Sequence, residues 1–508
     1  MNRVTRQLGK TANFTAPDPF KRNNNAGSRT EHNVKKEMNF KNPILTALIF
    51  LASNICFGQN KNIEKRLDSL FRSLSEQNQF SGSVLISEKG KIIYKSGKGF
   101  ANEKTKERNN SKTIFELASC SKQFIGVGIV ILQRDGKINY TDDMTDYIPE
   151  LANFKGVKIY DLLRHTSGIP EFLGQFAGDW NNKKIATNQD VIDYYSHRKD
   201  TLEFKPTSTH QYCNTNYVFL ATIIERISNQ SIQDYLSTTI FKPLSMNRTF
   251  IYNRRENPQR IKNYAFGYTW IKNSFEKATA DDSKIGDSTA YYLDGIVGNA
   301  KINSSVEDLY KWMNALKNNT LLTQQEFDEV MEITQTTDNQ EVSYGFGFEV
   351  RKSEKNISYG HTGSWDGYIT FMHHNSANDR TILVLNNFRN GVYPYETINA
   401  IIDNKPTTNE FAKKVDMEEG EIKKYTGDYI DGQDTSEKHR ITYLDGYLIY
   451  NTDKENWDMR FFPTSINTFQ AIRQGGVDGV MTFTKLNDGT MKLELTQYGQ
   501  VIGNGIRK

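Results

Sequence analysis

Glu116-Leu117-Ala118-Ser119-Cys120-Ser121-Lys122-Gln123-Phe124 is the stretch whose reading decides the fold. It sets a serine and a lysine three residues apart at the opening of a run, Phe124 to Leu132, that is apolar apart from two glycines. Such a run without proline reads as a helix buried in the centre of a large domain. A helix turns once in about 3.6 residues, so Ser119 and Lys122 fall on one face, within reach of each other. A charged lysine is costly to bury without partners. Beside a hydroxyl at the mouth of an apolar helix, it is one way to build an activated serine nucleophile. By itself Ser-x-x-Lys arises easily by chance at a helix start, so the rest of the chain has to carry the reading.

The chain has 508 residues, enough for more than one domain and a large core. Hydrophobic residues make up 37% and charged residues 24%, which suits a globular protein, and a net charge of +4 is too weak to argue for nucleic acid. Of the three cysteines, Cys56 lies in a leader, and Cys120 and Cys213 make neither a disulfide framework nor a zinc set. The eight histidines contain no His-Glu-x-x-His pattern, and no metal or organic cofactor is expected. Gly-x-Ser-x-Gly is absent, which argues against an α/β-hydrolase.

Residues 1–37 are polar, rich in asparagine and basic residues, and read as a disordered or mis-annotated leader, with Met38 as an alternative start. From Met38 the pattern changes. Lys41 supplies positive charge, Pro43 to Ile55 is mostly apolar, and Cys56-Phe57-Gly58 places small residues before a cut ahead of Gln59. Residues 38–58 therefore read as a signal peptide and the protein as exported, to the periplasm or beyond. An uncleaved N-terminal membrane anchor is the alternative. The run is short for a span, so no stable membrane span is expected after cleavage.

After the leader, Ile63, Leu67, Leu70, Phe71 and Leu74 share one helical face. Phe80 to Ile86 and Lys91 to Tyr94 alternate around Glu-Lys-Gly and predict a hairpin, extended through Gly97, Gly99 and Ala101. Val157 to Arg164 reads as a short helix stopping at His165-Thr166-Ser167-Gly168, where His165 is a cap and turn rather than a base. Residues 171–210 read as irregular, and Val218 to Ile227 as an apolar helix. Ser304 and Glu307 form a candidate capping box ahead of a helix through Leu309, Trp312, Met313 and Leu316. Tyr344 to Val350, Ile357 to Gly360, Tyr368 to His373 and Thr381 to Asn386 read as strands, and Ile398 to Ile402 as a closing helix. Strands at both ends with helices between predict an α+β domain over 62–403 whose sheet joins the two ends of the chain. Residues 404–417 read as a linker. Residues 418–508, short alternating strands punctuated by glycine, read as a small all-β domain, barrel or sandwich, with a structural or binding role.

Three motifs stand in one order: Ser119-x-x-Lys122, Tyr212-x-Asn214 and His361-Thr362-Gly363. Together with Leu162 to Pro170 and Gly298 to Leu309, they resemble the serine hydrolases of the penicillin-binding-protein and class C β-lactamase-like family, over about residues 62–403. The resemblance implies a β-lactamase/transpeptidase-like fold, an antiparallel sheet flanked by helices with an all-helical lobe. It implies that Ser119 is acylated, that Lys122 takes or relays its proton, and that Tyr212 serves as base for attack and acid for the leaving group. Asn214 would hold the lysine and the substrate amide. The backbone amides of Ser119 and Ser364 would form the oxyanion hole, and His361, Thr362 and Gly363 would flank a peptide-like substrate and face its carboxylate. The expected partner is a small-molecule or peptide substrate; the sequence does not give the oligomeric state.

Two positions depart from the family pattern. His361 stands where β-lactamases carry lysine, and a histidine of ordinary pKa is mostly neutral at pH 7. Family members with this change resemble esterases and peptidases more than efficient β-lactamases, so the resemblance implies peptide or ester hydrolysis with little β-lactam turnover, D-amino-acid compounds such as cell-wall fragments being among the candidates. A catalytically weak protein acting in binding or sensing is the alternative. Pro206-Thr207 replaces the usual Pro-Gly, which puts the local turn in question. Cys120 and Cys213 occupy variable positions of two converging motifs. Two buried thiols are expected there in preference to a disulfide, whose geometry is strict.

Overall fold

The computed structural model describes residues 62–507 except 77, 199–200, 272–275, 286–287, 407–413, 432–437, 454–458, 472–478 and 498–499. The expected signal peptide at 38–58 lies outside the described residues. Helix α1 spans 62–76. Strands β1 (Gly82–Glu88) and β2 (Lys91–Lys98) follow as the predicted hairpin. Helices α2 (Lys122–Arg134), α3 (Ile159–Arg164), α4 (Asn188–Arg198), α5 (Asn214–Ser228) and α6 (Val306–Lys317) come next. Strands β3 (Glu349–Lys352), β4 (Ile357–Trp365), β5 (Tyr368–Asn375) and β6 (Arg380–Asn386) lead into helix α7 (Tyr395–Ile402).

The main sheet is antiparallel in the order β3-β4-β5-β6-β1-β2. Pairing of β1 with β6, Gly82 opposite Asn386 through Glu88 opposite Arg380, joins the two ends of the domain as the α+β reading requires. Both faces of the sheet are covered. Val84, Ile86, Ile382 and Val384 pack under α1 and α7, with Leu67, Phe71, Leu74 and Ile398. Leu85, Leu383, Leu385 and Met372 point the other way, into the core shared by α2, α5 and α6. Strands buried on both faces read as continuous apolar runs, which is why β1 and β6 lack clean alternation.

Helix α2 is buried from Lys122 to Leu132. Trp312 of α6 packs on Phe124 with ring centres 4.4 Å apart and donates from its indole N–H to Gln123 Oε1 at 2.9 Å. The glycines inside α2 admit neighbouring backbone. A Cβ on Gly126 would sit 2.1 Å from the Phe346 carbonyl oxygen, so a side chain there would push the 344–348 turn off the helix.

Several local expectations shift. The second strand stops at Lys98, because Phe100–Asn102 leaves the sheet to pair with Glu107–Arg108. Residues 171–210 are not wholly irregular: α4 forms there, with Val191, Ile192 and Tyr195 as a narrow buried stripe in an otherwise polar segment. The cap of α6 is Ser305, whose hydroxyl accepts from Asp308 N–H; Ser304 ends a short strand and pairs its hydroxyl with that of Thr249 at 2.8 Å. Residues 344–348 form a turn, and β3 begins only at Glu349.

The final segment is a closed barrel of eight antiparallel strands, from Gly427–Asp431 to Gln500–Arg507. Tyr429, Leu448, Phe461, Phe469, Phe483 and Leu493 fill its interior. Closure removes the exposed strand edges that a sandwich of this size would leave. Among the described residues, no helix is long and apolar enough to cross a membrane.

Thr207 shows how the altered Pro-Thr turn closes. Its backbone takes the left-handed conformation, φ +67°. Its N–H donates to Thr166 O at 2.9 Å, and its carbonyl accepts from Thr337 N–H at 2.9 Å. An L-residue with a branched Cβ is strained there, by roughly 1–2 kcal/mol. Thr207→Gly is expected to stabilise the protein by about 1 kcal/mol, part of the relief being offset by the entropy of a glycine chain. The measurement is the urea midpoint at unchanged slope, and an unmoved or lower midpoint would remove the strain argument.

Candidate active site

Ser119 lies in a single 3-10 turn, Ala118–Ser121, that runs directly into α2. The turn begins with strain, since Ala118 has φ +49° without being glycine. Surrounding bonds hold it: Leu117 N–H donates to Ile302 O at 2.8 Å, and Thr370 Oγ1 donates to Leu117 O at 2.8 Å. Ser119 is thereby turned half-exposed into the cleft while its neighbours are buried.

Lys122 Nζ is 3.1 Å from Ser119 Oγ, 2.8 Å from Asn214 Oδ1 and 2.9 Å from Asn299 O. An ammonium has three N–H donors, and three acceptors surround this one. The side chain is fully buried, and among the described residues no carboxylate pairs with it directly. Burial therefore pulls its pKa down, to about 7. Near neutral pH Lys122 exchanges between an ammonium that donates to Ser119 and an amine that can accept its proton.

Tyr212 and Asn214 lead into α5. The Lys122 ammonium lies 4.9 Å from the centre of the Tyr212 ring, and the Tyr212 hydroxyl shares a hydrogen bond with the Ser119 side chain. Burial pushes the Tyr212 phenol well above its ordinary range, with the Ser119 bond opposing. The residue is 38% exposed, so water at the ring moderates that push. The resting phenol keeps its proton, and Lys122 is the group whose charge changes near neutrality.

Two residues that the motifs do not contain hold this pair in place. Glu171 Oε2 accepts from Asn214 N–H at 2.6 Å and from Asn214 Nδ2 at 3.0 Å, so the Asn214 carbonyl oxygen must face Lys122. Burial raises the Glu171 carboxyl, while these N–H donors oppose the rise. The clue in the sequence was its position, directly after Gly168-Ile169-Pro170 of the quoted phrase. His165 caps α3 with φ +59°, and its Nδ1 accepts from Cys213 N–H at 3.1 Å. Its ring lies 4.3 Å from that of Tyr212, centre to centre. It is a cap and turn, as read, and also a prop for the tyrosine.

The opposite wall is β4. A Cβ on Gly363 would meet Thr370 Oγ1 at 2.4 Å and Leu117 O at 2.5 Å, and would lie 3.1 Å from Ser119 N, so glycine is what lets β4 approach the nucleophile turn. Pairing of β3 with β4 ends at Glu349 opposite Gly360, and no other strand takes that edge of β4 from His361 to Trp365 among the described residues. Ser364 is exposed on this open length. His361 is buried. Its Nδ1 contacts the Thr362 carbonyl, which fixes the Nδ1–H tautomer, and its Nε2 accepts from Tyr344 O–H at 3.0 Å. Burial, with Lys122 nearby, pushes its pKa down to about 3, so it carries no charge at neutral pH. Thr362 Oγ1 donates to Glu349 Oε1 at 3.2 Å.

Behind the site runs a buried ionic chain. Lys301 Nζ pairs with Asp294 at 2.9 Å and Glu116 at 3.4 Å; Arg255 pairs with Asp294 at 3.1 Å and, through both terminal nitrogens, with Asp366 at 2.8 and 2.7 Å. Glu116, Lys301 and Asp366 lie within three residues of Ser119, Asn299 and Ser364. The chain thus ties together three segments that face the cleft. Cys120 and Cys213 are both free and buried, the Cys120 thiol donating to His361 O at 3.2 Å and the Cys213 thiol to Ile169 O at 3.3 Å. Burial raises both thiols, Cys120 to about 12, so neither is a reactive thiolate.

The structure therefore converges Ser119, Lys122, Tyr212 and Asn214 on one another, with Gly363 and His361 on the facing strand. An antiparallel sheet joined end to end, and a serine one turn before a buried lysine, define the serine hydrolase class of penicillin-binding proteins and β-lactamases. Residues 67–402 match the Beta-lactamase family model, and the chain belongs to that family. It is 36% identical over 328 residues to Penicillin-binding protein 4* of Bacillus subtilis (strain 168), covering 64% of this chain and 72% of that protein. Its fold is similar to the octameric penicillin-binding protein homologue from Pyrococcus abyssi, with TM-score 0.60 and 20% identity over 87% of this chain and 99% of that one. It is also similar to the D-amino acid amidase from Ochrobactrum anthropi SV3, with TM-score 0.52 and 24% identity over 65% and 91%.

The Glu171 carboxylate raises the Lys122 pKa against the larger lowering effect of burial. Glu171→Ala is expected to shift the acid limb of Ser119 reactivity to lower pH, and to slow the reaction on the order of tenfold to a hundredfold as Asn214 loses its anchor. The measurement is the rate of labelling by a fluorophosphonate across pH. An unshifted limb would detach Glu171 from Lys122.

Proposed function

We propose that this protein is an exported serine hydrolase that works through an acyl-enzyme on Ser119. The observation that carries the reading is the buried Lys122 amine, about 7 in pKa, 3.1 Å from Ser119 Oγ. Ser119 Oγ bonds to the substrate carbonyl carbon, and its proton passes to Lys122 Nζ. The negative charge on the carbonyl oxygen is received by the backbone N–H groups of Ser119 and Ser364. As the bond to the leaving nitrogen or oxygen breaks, the proton reaches that atom through the Tyr212 hydroxyl. Water then attacks the acyl ester by the same route in reverse, releasing the acid and restoring Ser119.

The substrate is a peptide, amide or ester. The open edge of β4 suits an extended chain, and D-amino-acid compounds are favoured by the likeness to a D-amino acid amidase. The neutral His361 supplies no cation for a β-lactam carboxylate, so cephalosporin turnover should be slow. The export reading rests on residues 38–58. Residues 62–403 form the hydrolase domain, 404–417 a linker, and 418–508 a structural or binding module. A second reading, a binding or sensing protein that keeps the pocket, is favoured by the neutral His361 and by Thr362 being engaged with Glu349.

Fluorophosphonate labelling separates the two. Wild type should be labelled, Ser119→Ala should not, and Tyr212→Phe should react about a hundredfold to ten-thousandfold more slowly. Labelling should rise with pH through about 7 and then level off, because only the neutral form of Lys122 accepts a proton. Absence of label on folded wild type would favour the binding protein. p-Nitrophenyl esters and D-Ala-D-Ala peptides then sort the substrate class.

A further inference from the structure

Trp365 ends β4 at the far limit of its open edge. Successive strand residues face opposite ways, so its side chain shares a face with His361 and Gly363, the face that meets the Ser119 turn. It packs against the domain core yet stays partly exposed, as does Leu173. With Phe172, Leu293 and Ile296 these two line a pocket of about 220 Å³. Catalytic groups adjoin it on three sides. Phe172 and Leu173 follow Glu171, which anchors Asn214. Asn299, a further lining residue, gives its carbonyl to Lys122 at 2.9 Å. Trp365 follows Ser364, whose amide the hydrolase reading assigns to the oxyanion hole.

The polar atoms of this pocket suit an uncharged guest. Lys301 lines it too, but its ammonium is paired with Asp294 at 2.9 Å and Glu116 at 3.4 Å. Asn299 Oδ1 is buried without a hydrogen-bond partner, and it is an acceptor. A carboxylate entering here would lose its water and meet that acceptor, with the one lining cation already paired. An apolar group would exchange water for aromatic and aliphatic walls.

Strand direction says which part of a substrate arrives there. β3 pairs with β4 only from Ile357 to Gly360, so a peptide on the remaining edge, antiparallel to β4, enters over Trp365 and leaves toward Gly360. Its acyl half lies on the Trp365 side of Ser119, and the residue carrying the scissile carbonyl lies beside the pocket.

We propose that this pocket is the acyl-side subsite, that it takes an uncharged apolar side chain next to the scissile carbonyl, and that Trp365 and Leu173 determine this specificity. The inference rests on the hydrolase reading and narrows its substrate: the acyl group is aromatic or aliphatic, neither acidic nor as small as acetyl. Trp365 and Leu173 select and enter no chemical step.

Three p-nitrophenyl esters test it: the acetate, the 3-phenylpropanoate and the 3-(4-carboxyphenyl)propanoate. They share a leaving group and differ only in the acyl chain. Relative to hydrolysis in buffer alone, wild type should use the phenylpropanoate with kcat/KM about tenfold to a hundredfold above either of the others. Trp365→Ala and Leu173→Ala should each reduce that preference severalfold, mainly by raising KM for the phenylpropanoate, while acetate turnover and fluorophosphonate labelling stay within about twofold of wild type. Leu173→Lys should favour the carboxyphenyl ester over the phenylpropanoate. Leu173 is partly exposed, so its variants keep the test open if Trp365→Ala fails to fold. If wild type neither labels nor hydrolyses, the hydrolase reading falls, and calorimetric binding of 3-phenylpropanamide and acetamide to Ser119→Ala decides the subsite. Tighter binding of the phenyl compound, weakened on adding Leu173→Ala, supports the proposal. Equal use of the three esters, equal binding or binding of neither amide, or a preference that survives the Leu173 variants overturns it.

Discussion

Burying the amine of Lys122 is the constraint on which the rest of this architecture depends. An ammonium in a protein interior costs several kcal/mol unless acceptors surround it. Here they are neutral: a hydroxyl, an amide oxygen and a backbone carbonyl. A carboxylate in direct contact would hold the lysine charged and useless as a base. Glu171 instead acts at one remove, through Asn214. Its charge offsets part of the burial cost without cancelling the downward shift that puts Lys122 at about 7.

Delivering those acceptors requires three remote segments to meet. Asn214 opens α5, Asn299 comes from the loop before α6, and Ser119 sits on a strained turn beneath β4. The buried pairs among Glu116, Lys301, Asp294, Arg255 and Asp366 lie along the backs of these segments. Removing one partner of such a chain leaves a buried charge unpaired, a loss of about 3–5 kcal/mol in comparable cases. The chain costs desolvation energy and fixes relative position in return. A nucleophile that must sit within about 3 Å of its base benefits from that rigidity.

Much of this is legible in the sequence, and for physical reasons. Ser119 and Lys122 meet because the turn of a helix is a property of the backbone. The hairpin of β1 and β2 and the helices α1, α5 and α6 follow from apolar spacing. Tyr212, Asn214 and Gly363 were legible through motif order. What escaped has a common cause. α4 buries only a narrow stripe, so its polar surface concealed its period. The cap of α6 slipped by one because two serines stand side by side. Glu171 and Glu349 are ordinary carboxylates in polar stretches, and nothing local distinguishes them from solvated charge.

The sequence by itself determined the class of chemistry. A serine, a lysine, a tyrosine and an asparagine at these spacings, ahead of a glycine that allows β4 to close in, are chemical identities that any fold bringing them together would inherit. Only the tertiary structure decided their protonation and surroundings. Burial makes Lys122 a base near neutrality, pushes the Tyr212 phenol further above its ordinary range and carries His361 from mostly to wholly neutral, because desolvation depends on what surrounds a group and not on which residues flank it. Strand register, likewise a long-range property, set Glu349 beside Thr362 at the mouth of the open edge.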